Sequence, residues 1–241
     1  MEAVISASKF LDLLSCVMPA ASDDETRKPI CAVQLEIIAA EYSIRAVATN
    51  GAVLSHAQRG LGFSTSEQPD IEDMEARSKV KDATWTISTI DAELLIVSLK
   101  KLGVKRGKEE AEDGSTGRYY IVIRELGYEG KPKLSISILG MSEVVLEPNL
   151  ILAQYPDWKP LVPSQTYSQI DTISFSLEHL NSTIKCWGNR ERVYFTFYNN
   201  GQIVKINRRE APEEKQNDFI LLMPLIYEEK KQEEEQIDKL I

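Results

Sequence analysis

Few side chains in this sequence could carry chemistry, and their spacing argues against catalysis. His56 and His179, its two histidines, have neither a nucleophile nor a paired acid at a motif spacing. No HExxH and no glycine-rich phosphate loop of the Walker type occurs. Cys16, Cys31 and Cys186 are an odd number of cysteines without CxxC spacing, so they make no metal set with the distant histidines. They are expected as reduced thiols in a core. Asp23-Asp24-Glu25 is acidic enough to attract a cation, but its place between a helix and a strand fits a solvated turn better. No catalytic residue, cofactor or metal is expected, and the chain reads as a non-enzyme.

The chain as a whole sets the frame for any site. Its 241 residues, 43% apolar and 27% charged, are ordinary for a folded protein of one large or two small domains. No apolar run approaches the roughly 18 residues of a membrane span, and no signal peptide is legible, so a soluble cytoplasmic protein is expected. The net charge of −9 excludes wrapping nucleic acid with the whole surface. A basic inner face under an acidic exterior would give the same total.

One short pattern occurs three times: an apolar strand ending, a serine, then an amphipathic helix. The stretches are Ala-Val-Ile-Ser at 3–6, Trp-Thr-Ile-Ser at 85–88 and Ile-Ser-Phe-Ser at 173–176, so the serines fall at 6, 88 and 176. Serine there can accept a hydrogen bond from an unpaired amide of the first helical turn. One-face spacing follows each time: Phe10, Leu13, Leu14 and Val17; Ile90, Leu94, Leu95 and Leu102; Leu177, Leu180, Ile184 and Trp187. Strand-like runs come next, at 31–38, 43–49 and 53–58, at 118–124, 133–139 and 143–146, and at 192–198, 202–207 and 218–223. Asn199-Asn200-Gly201 is a good hairpin turn. The polar, glycine-containing segments 59–83 and 105–117 read as loops or crossovers. The expected fold is α+β, three β-α-β-β-β half-units whose amphipathic helices pack on antiparallel sheets.

Three stretches resemble a known family. Arg45-Ala-Val-Ala-Thr-Asn-Gly51-Ala-Val-Leu54 resembles the VATDGHRLA strand and turn in the middle domain of the β sliding clamp of bacterial DNA polymerase III. Gln154-Tyr-Pro-Asp-Trp-Lys-Pro-Leu161-Val-Pro163 resembles the segment linking the clamp's middle and last domains, and Leu221-Leu-Met-Pro-Leu225 resembles its C-terminal VVMPM. By this resemblance 1–163 is a complete clamp-like domain, with half-units 1–58 and 84–163 joined by polar 59–83. Residues 171–226 form a third half-unit, and 227–241 a charged tail. A clamp chain of the family carries six half-units, this sequence three.

The resemblance implies a DNA clamp: a processivity factor that assembles as a homo-oligomer around duplex DNA, without sequence preference, and binds peptide motifs of a polymerase, a clamp loader or repair proteins. The alternative is an adaptor or regulator that binds such peptides without encircling DNA. The positions matching the family's peptide pocket are Ile30, Thr49, Gly51, Leu54, Pro156, Leu161, Met223, Pro224 and Leu225. Apolar walls and an adaptable Met suit a pocket for varied anchors, and the same residues also fit ordinary core and linker. Where the family has His-Arg after the turn glycine, this chain has Ala52 and Val53, and Pro160 replaces a basic linker residue, so the polar rim departs from the family's. In clamps the half-unit helices face DNA through cations. Here Lys9, Lys100, Lys101, Lys105, Arg106, Lys185, Arg190 and Arg192 take that place, and because Asp12, Asp91, Glu93 and Glu178 share the helices a solvated face fits equally. The third half-unit lacks a mate for its helix, so self-association is expected. Gln236-Ile-Asp-Lys-Leu-Ile241 is similar to the peptides clamps bind, and equally to a plain amphipathic end.

Overall fold

The computed structural model describes residues 2–62, 80–106, 119–128, 131–139, 144–162, 175–187, 193–198, 203–207 and 218–223. The first half-unit runs β1 (Glu2–Ser6), α1 (Ala7–Val17), β2 (Ala32–Ile38), β3 (Ser43–Thr49) and β4 (Val53–Gly60). The second repeats the order as β5 (Ala83–Ser88), α2 (Thr89–Lys101), β6 (Tyr120–Tyr128), β7 (Lys131–Leu139) and β8 (Val144–Leu146). The third has α3 (Leu177–Trp187), β9 (Tyr194–Tyr198), β10 (Ile203–Asn207) and β11 (Phe219–Leu222). Nine strand-like runs expected after the helices are therefore strands, as the β-branched alternation dictates. The strand expected before α3 falls partly outside the described residues, and its last two, Phe175 and Ser176, are not in a strand. The turn at 199–201 lies outside the described residues.

The strands make two antiparallel sheets that exchange a strand. One has the order β1-β6-β7-β8, the other β5-β2-β3-β4-β11-β10-β9. The first half-unit thus lends β1 to β6 and receives β5 against its own β2. The third half-unit joins edge to edge, with β11 antiparallel to β4. The large core lies between the sheets and under the helices, centred on Phe10, Leu14, Leu35, Leu95, Ile121 and Ile136. On the opposite face of β2, β3, β4 and β11 a smaller core of Ala32, Val47, Leu54, Phe219 and Leu221 is covered by Tyr155 and Trp158. Strands covered on both faces read as near-continuous apolar runs, which is why β3 shows no clean alternation.

The helices depart from the expected faces in three ways. Ser88 caps α2, its Oγ accepting from Asp91 N at 3.0 Å, whereas Ser6 makes no side-chain cap to α1. Strand passes directly into helix there, and Ala7 N donates instead to Tyr119 O at 3.1 Å. On α2, Ala92, Leu95, Ile96 and Leu99 are buried while Ile90 and Leu94 are 65% and 54% exposed. This helix is apolar on nearly all sides, so periodicity alone admits two answers. On α3, Thr183 and Cys186 are buried, Leu180 is half-buried against the core and Leu177 is 84% exposed; the side chains of Ile184 and Trp187 lie outside the described set.

A charged network ties all three half-units. Arg59, near the end of β4, pairs with Asp12 of α1 and with Asp218 at the start of β11. Arg106, just past α2, donates to Asp12 Oδ1 at 2.6 Å and to the carbonyl of Cys186 in the last turn of α3 at 2.6 Å. Burial alone would raise the Asp12 carboxyl, but the charge of Arg59 and hydrogen bonds from Arg106 and Arg59 outweigh it and hold it below the usual range. Because the unfolded value is about 3.9, this contribution is complete above that pH and is lost as pH falls through the lower folded value. Arg59→Met, which strands Asp218 without a cation, is expected to cost about 3–5 kcal/mol at pH 7. The gap from the parent should narrow as the Asp12 carboxylate protonates. Urea unfolding of both proteins at pH 7 and pH 3 checks it; an equal gap at both pH values would remove the network from the stability argument.

Candidate functional site

The site begins with a turn. Between β3 and β4 the Asn50 side chain accepts from Ala52 N at 3.0 Å and Val53 N at 2.9 Å. Thr49 Oγ1 donates to Val53 O at 2.7 Å and accepts from Gly51 N at 3.0 Å. These four bonds over-determine the turn and place Gly51 at φ +94°, a conformation natural only to glycine. Asn favours such turns because its short amide mimics a backbone group. The turn presents Ala52 O to Met223 N at 3.2 Å, which anchors the chain as it leaves β11.

A second wall comes from 151–162. Tyr155 and Trp158 are buried, with Tyr155 OH donating to Val47 O at 3.4 Å and Trp158 Nε1 to Gln34 Oε1 at 3.1 Å. Burial raises the Tyr155 phenol, so it stays a neutral donor. His56, set aside as a catalyst by its sequence context, stacks on Phe219 at 4.5 Å and packs against Trp158 at 5.2 Å between ring centroids. A histidine enclosed by two aromatic rings is part of the wall, not a base awaiting substrate.

Between these walls lies an apolar pocket of about 250 Å3. It is lined by Ile30, Thr49, Gly51, Leu54, Pro156, Leu161 and Met223, seven residues named from sequence. Pro224 and Leu225 lie outside the described residues. Ile30 and Leu54 form a buried floor, and Leu161 and Met223 an exposed lip. Arg27, Ala52, Val53, Trp158, Ile203 and Leu221 also line it and were not among the positions assigned to the pocket, although Ala52 and Val53 mark the departure at its rim. Trp158 had a signal, since it sits within the linker motif already recognised. Ile203 had none, because only the long-range pairing of β10 with β11 brings it there. Arg27, in the one-turn helix Glu25–Arg27, donates from Nη1 to Asn50 O at 3.3 Å and puts a guanidinium at the rim where Ala52 and Val53 supply no charge. That same turn explains the acidic run before it: Asp24 Oδ1 accepts from Thr26 N at 3.0 Å, capping the turn.

The cations expected to meet DNA do not all face solvent. Lys100, Lys101, Lys105 and Lys185 are exposed, and Lys9 is half-buried on a helix whose other faces are covered. Arg106 must be corrected: its guanidinium turns inward to Asp12, Cys16 and Cys186, leaving little of it to meet a phosphate. A buried carboxylate and a helix C-terminus both favour a cation, and Arg106 serves both, sharing Asp12 with Arg59. Arg190 and Arg192 lie outside the described residues. Lys100 and Lys101 occupy the last turn of α2, where cations also complement the helix dipole. Among the described residues no group of three or more His, Cys, Asp and Glu could hold a metal ion, and no helix is long and apolar enough to cross a membrane.

No family model and no curated protein matches this sequence. Solved structures do. The β subunit of DNA polymerase III from Thermotoga maritima superposes with a TM-score of 0.63 at 14% identity, covering 94% of this chain and 65% of that one. The chain has the sliding-clamp fold. The clamp of Pseudomonas aeruginosa bound to griselimycin gives 0.64 at 12% identity, covering 94% and 65%, and that of Bacillus subtilis 0.62 at 11%, covering 94% and 64%. The chain therefore spans about two thirds of the length of these clamps. Within the clamp fold the pocket lies where β4 meets β11, between the first and third half-units.

Gly51 is the position at which this geometry is most exposed to test. A Cβ there would lie 2.9 Å from Arg27 Nη2 in addition to straining the backbone. Gly51→Ala is expected to cost about 1–2 kcal/mol, lowering the melting temperature by several degrees and displacing Arg27 from the rim. Thermal melts check it, and an unchanged melting temperature would contradict the turn.

Proposed function

We propose that this chain is a sliding-clamp-like tether, not an enzyme: copies join around duplex DNA, and the pocket at the β4–β11 seam takes short linear peptides of replication or repair proteins. The observation that carries the reading is the convergence of three sequence-distant segments, 49–54, 156–161 and 221–223, on one apolar pocket. Such a pocket, rigid in its floor and adaptable at Met223, suits apolar anchors of several partners. On this reading the chain comprises a complete two-half-unit domain and a third half-unit. Duplex contact would rest on Lys9, Lys100, Lys101, Lys105 and Lys185, hence on phosphates, and would be weak and steeply salt-dependent.

A second reading, an adaptor that binds the same peptides without encircling DNA, is favoured by two observations. Arg106 is engaged within the protein, and the outer face of α2 carries exposed Ile90, Leu94 and Val97 beside its lysines. Retention on circular DNA separates the two. The parent is expected to stay on a closed circle and to leave when the circle is cut, and Lys100→Glu/Lys101→Glu/Lys105→Glu to bind linear duplex at least tenfold more weakly at low salt. A parent that never remains on circles would leave the adaptor.

For the pocket, Met223→Asp puts a carboxylate among apolar walls. It should weaken a labelled clamp-binding peptide by more than tenfold in fluorescence anisotropy, since burying an unpaired charge is costly. Equal affinity for mutant and parent would refute the assignment.

A further inference from the structure

The two complete half-units show how a surface of this kind is covered. In each, the strand leading into the helix leaves its own unit and pairs with the first post-helix strand of the other: β1 lies on β6 and β5 on β2. The exchange is reciprocal and follows one register. Ser6, the last residue before α1, stands opposite Tyr120, the first of β6, and Ser88, the last before α2, stands opposite Ala32, the first of β2. Each covered strand is then buried over three consecutive residues, Ile121 to Ile123 in β6 and Leu35 to Ile37 in β2.

The third half-unit has the helix and the three strands that follow it, and no strand leads into that helix among the described residues. Among the described residues no strand pairs with the outer edge of β9, and Val193, Tyr194 and Phe195 are 40%, 36% and 44% exposed on consecutive positions. Consecutive exposure means that the strand end is open on both faces and not merely on its solvent side. At the other end of the exchange, among the described residues, Phe175 and Ser176 lead into α3 outside any strand, Phe175 half-buried against the large core, and Leu177 begins the helix almost wholly exposed. A donor segment and an acceptor edge thus stand unused in one half-unit. Two copies related by a twofold axis satisfy both at once, because an isologous contact lets each chain give what the other lacks.

We infer that the third half-unit is completed by a second copy of this chain, the segment ending at Ser176 of each copy pairing antiparallel with β9 of the other to make a two-chain domain of the kind β1 to β8 form within one chain. The register carried over from the first two half-units places Ser176 opposite Tyr194 and Phe175 opposite Phe195. The exposed edge of β9 and the exposed start of α3 are buried together, removing an edge strand that would otherwise invite indiscriminate pairing. This deepens the proposed ring, and rests on it only in supposing that the chains join at all.

Opposed residues of an antiparallel pair bring their Cβ atoms within about 4.5–5.5 Å, close enough for a disulfide to form with small shifts. Ser176→Cys/Tyr194→Cys, oxidised in the full chain, should therefore yield a disulfide-linked dimer on a non-reducing gel, while the parent and each single variant should not. Phe195→Asp should reduce the particle mass measured by light scattering to that of fewer chains, with the melting temperature and the affinity for the labelled clamp-binding peptide retained. An intrachain disulfide, or a particle mass unchanged by Phe195→Asp, would overturn the inference. A parent that self-associates without the double variant crosslinking would overturn this interface and leave the proposed ring. A parent of single-chain mass at high concentration would sink both.

Discussion

Arg59 holds two carboxylates that lie far apart in the sequence, Asp12 on the first helix and Asp218 at the entry to β11. The places of Leu221 and Met223 in the pocket depend on that grip. β11 lies along β4 with Phe219 opposite His56 and Leu222 opposite Val53. A slip of one residue would turn Leu221 from the small core to the opposite face and carry Met223 away from the turn at Gly51. Four residues of backbone pairing are a modest guarantee of register, and the two-carboxylate clamp at one end with the Met223 N to Ala52 O bond at the other brackets them. Taking the charges out of water is costly, but Arg59 remains a cation because its partners' charges outweigh the burial that opposes it.

The same region shows how a pocket can persist inside a packed fold. The seven-stranded sheet separates two cores of unequal size, and the smaller one is roofed by a segment with little regular structure, 151–162, rather than by a helix. Tyr155 and Trp158 fasten that segment through one hydrogen bond each, and Trp158 adds an aromatic contact with His56. Apolar side chains at the margin of such a roof have no second layer above them, so Leu161 and Met223 remain exposed while Ile30 and Leu54 beneath them are not. Concavity arises here from an incomplete layer, and its chemistry is that of the core it interrupts.

Much of this was legible in the sequence, for physical reasons that differ between elements. Strands such as β2 and β3 declare themselves through β-branched runs bounded by turn residues, and the Asn-Gly turn between β3 and β4 through the backbone angle that glycine alone takes freely. On helix α1 the spacing names Phe10, Leu13, Leu14 and Val17, which are buried, but Leu11, Asp12 and Cys16 are buried as well because the helix is covered on other faces too. Helix α2, by contrast, is apolar nearly all round and its buried face is chosen by what it meets. Arg106 was read as a surface cation because nothing local marks a residue that must neutralise a carboxylate 94 positions earlier. The pocket's floor could be named from motifs, since those lie within single segments. Ile203 and Arg27 could not, since their places depend on strand pairing and on a one-turn helix folded against a distant turn.

What the helices present bears on how a tether of this fold could hold DNA. With Arg106 engaged internally and Ile90, Leu94 and Val97 on the outer face of α2, the cations left among the described helices and the residues next to them are scattered lysines at helix ends. Each phosphate contact adds a salt-sensitive increment of affinity, and few contacts mean fast dissociation from linear DNA. A closed ring removes that requirement, because escape then requires opening the ring, whatever the strength of contact to phosphate. Weak contact is also compatible with sliding, since a lysine on a flexible stem surrenders one phosphate for the next at little cost. In a clamp fold with a net charge of −9, closure and not attraction is the term that can supply retention. In the proposed ring the structural demand then falls on the edges through which chains would meet.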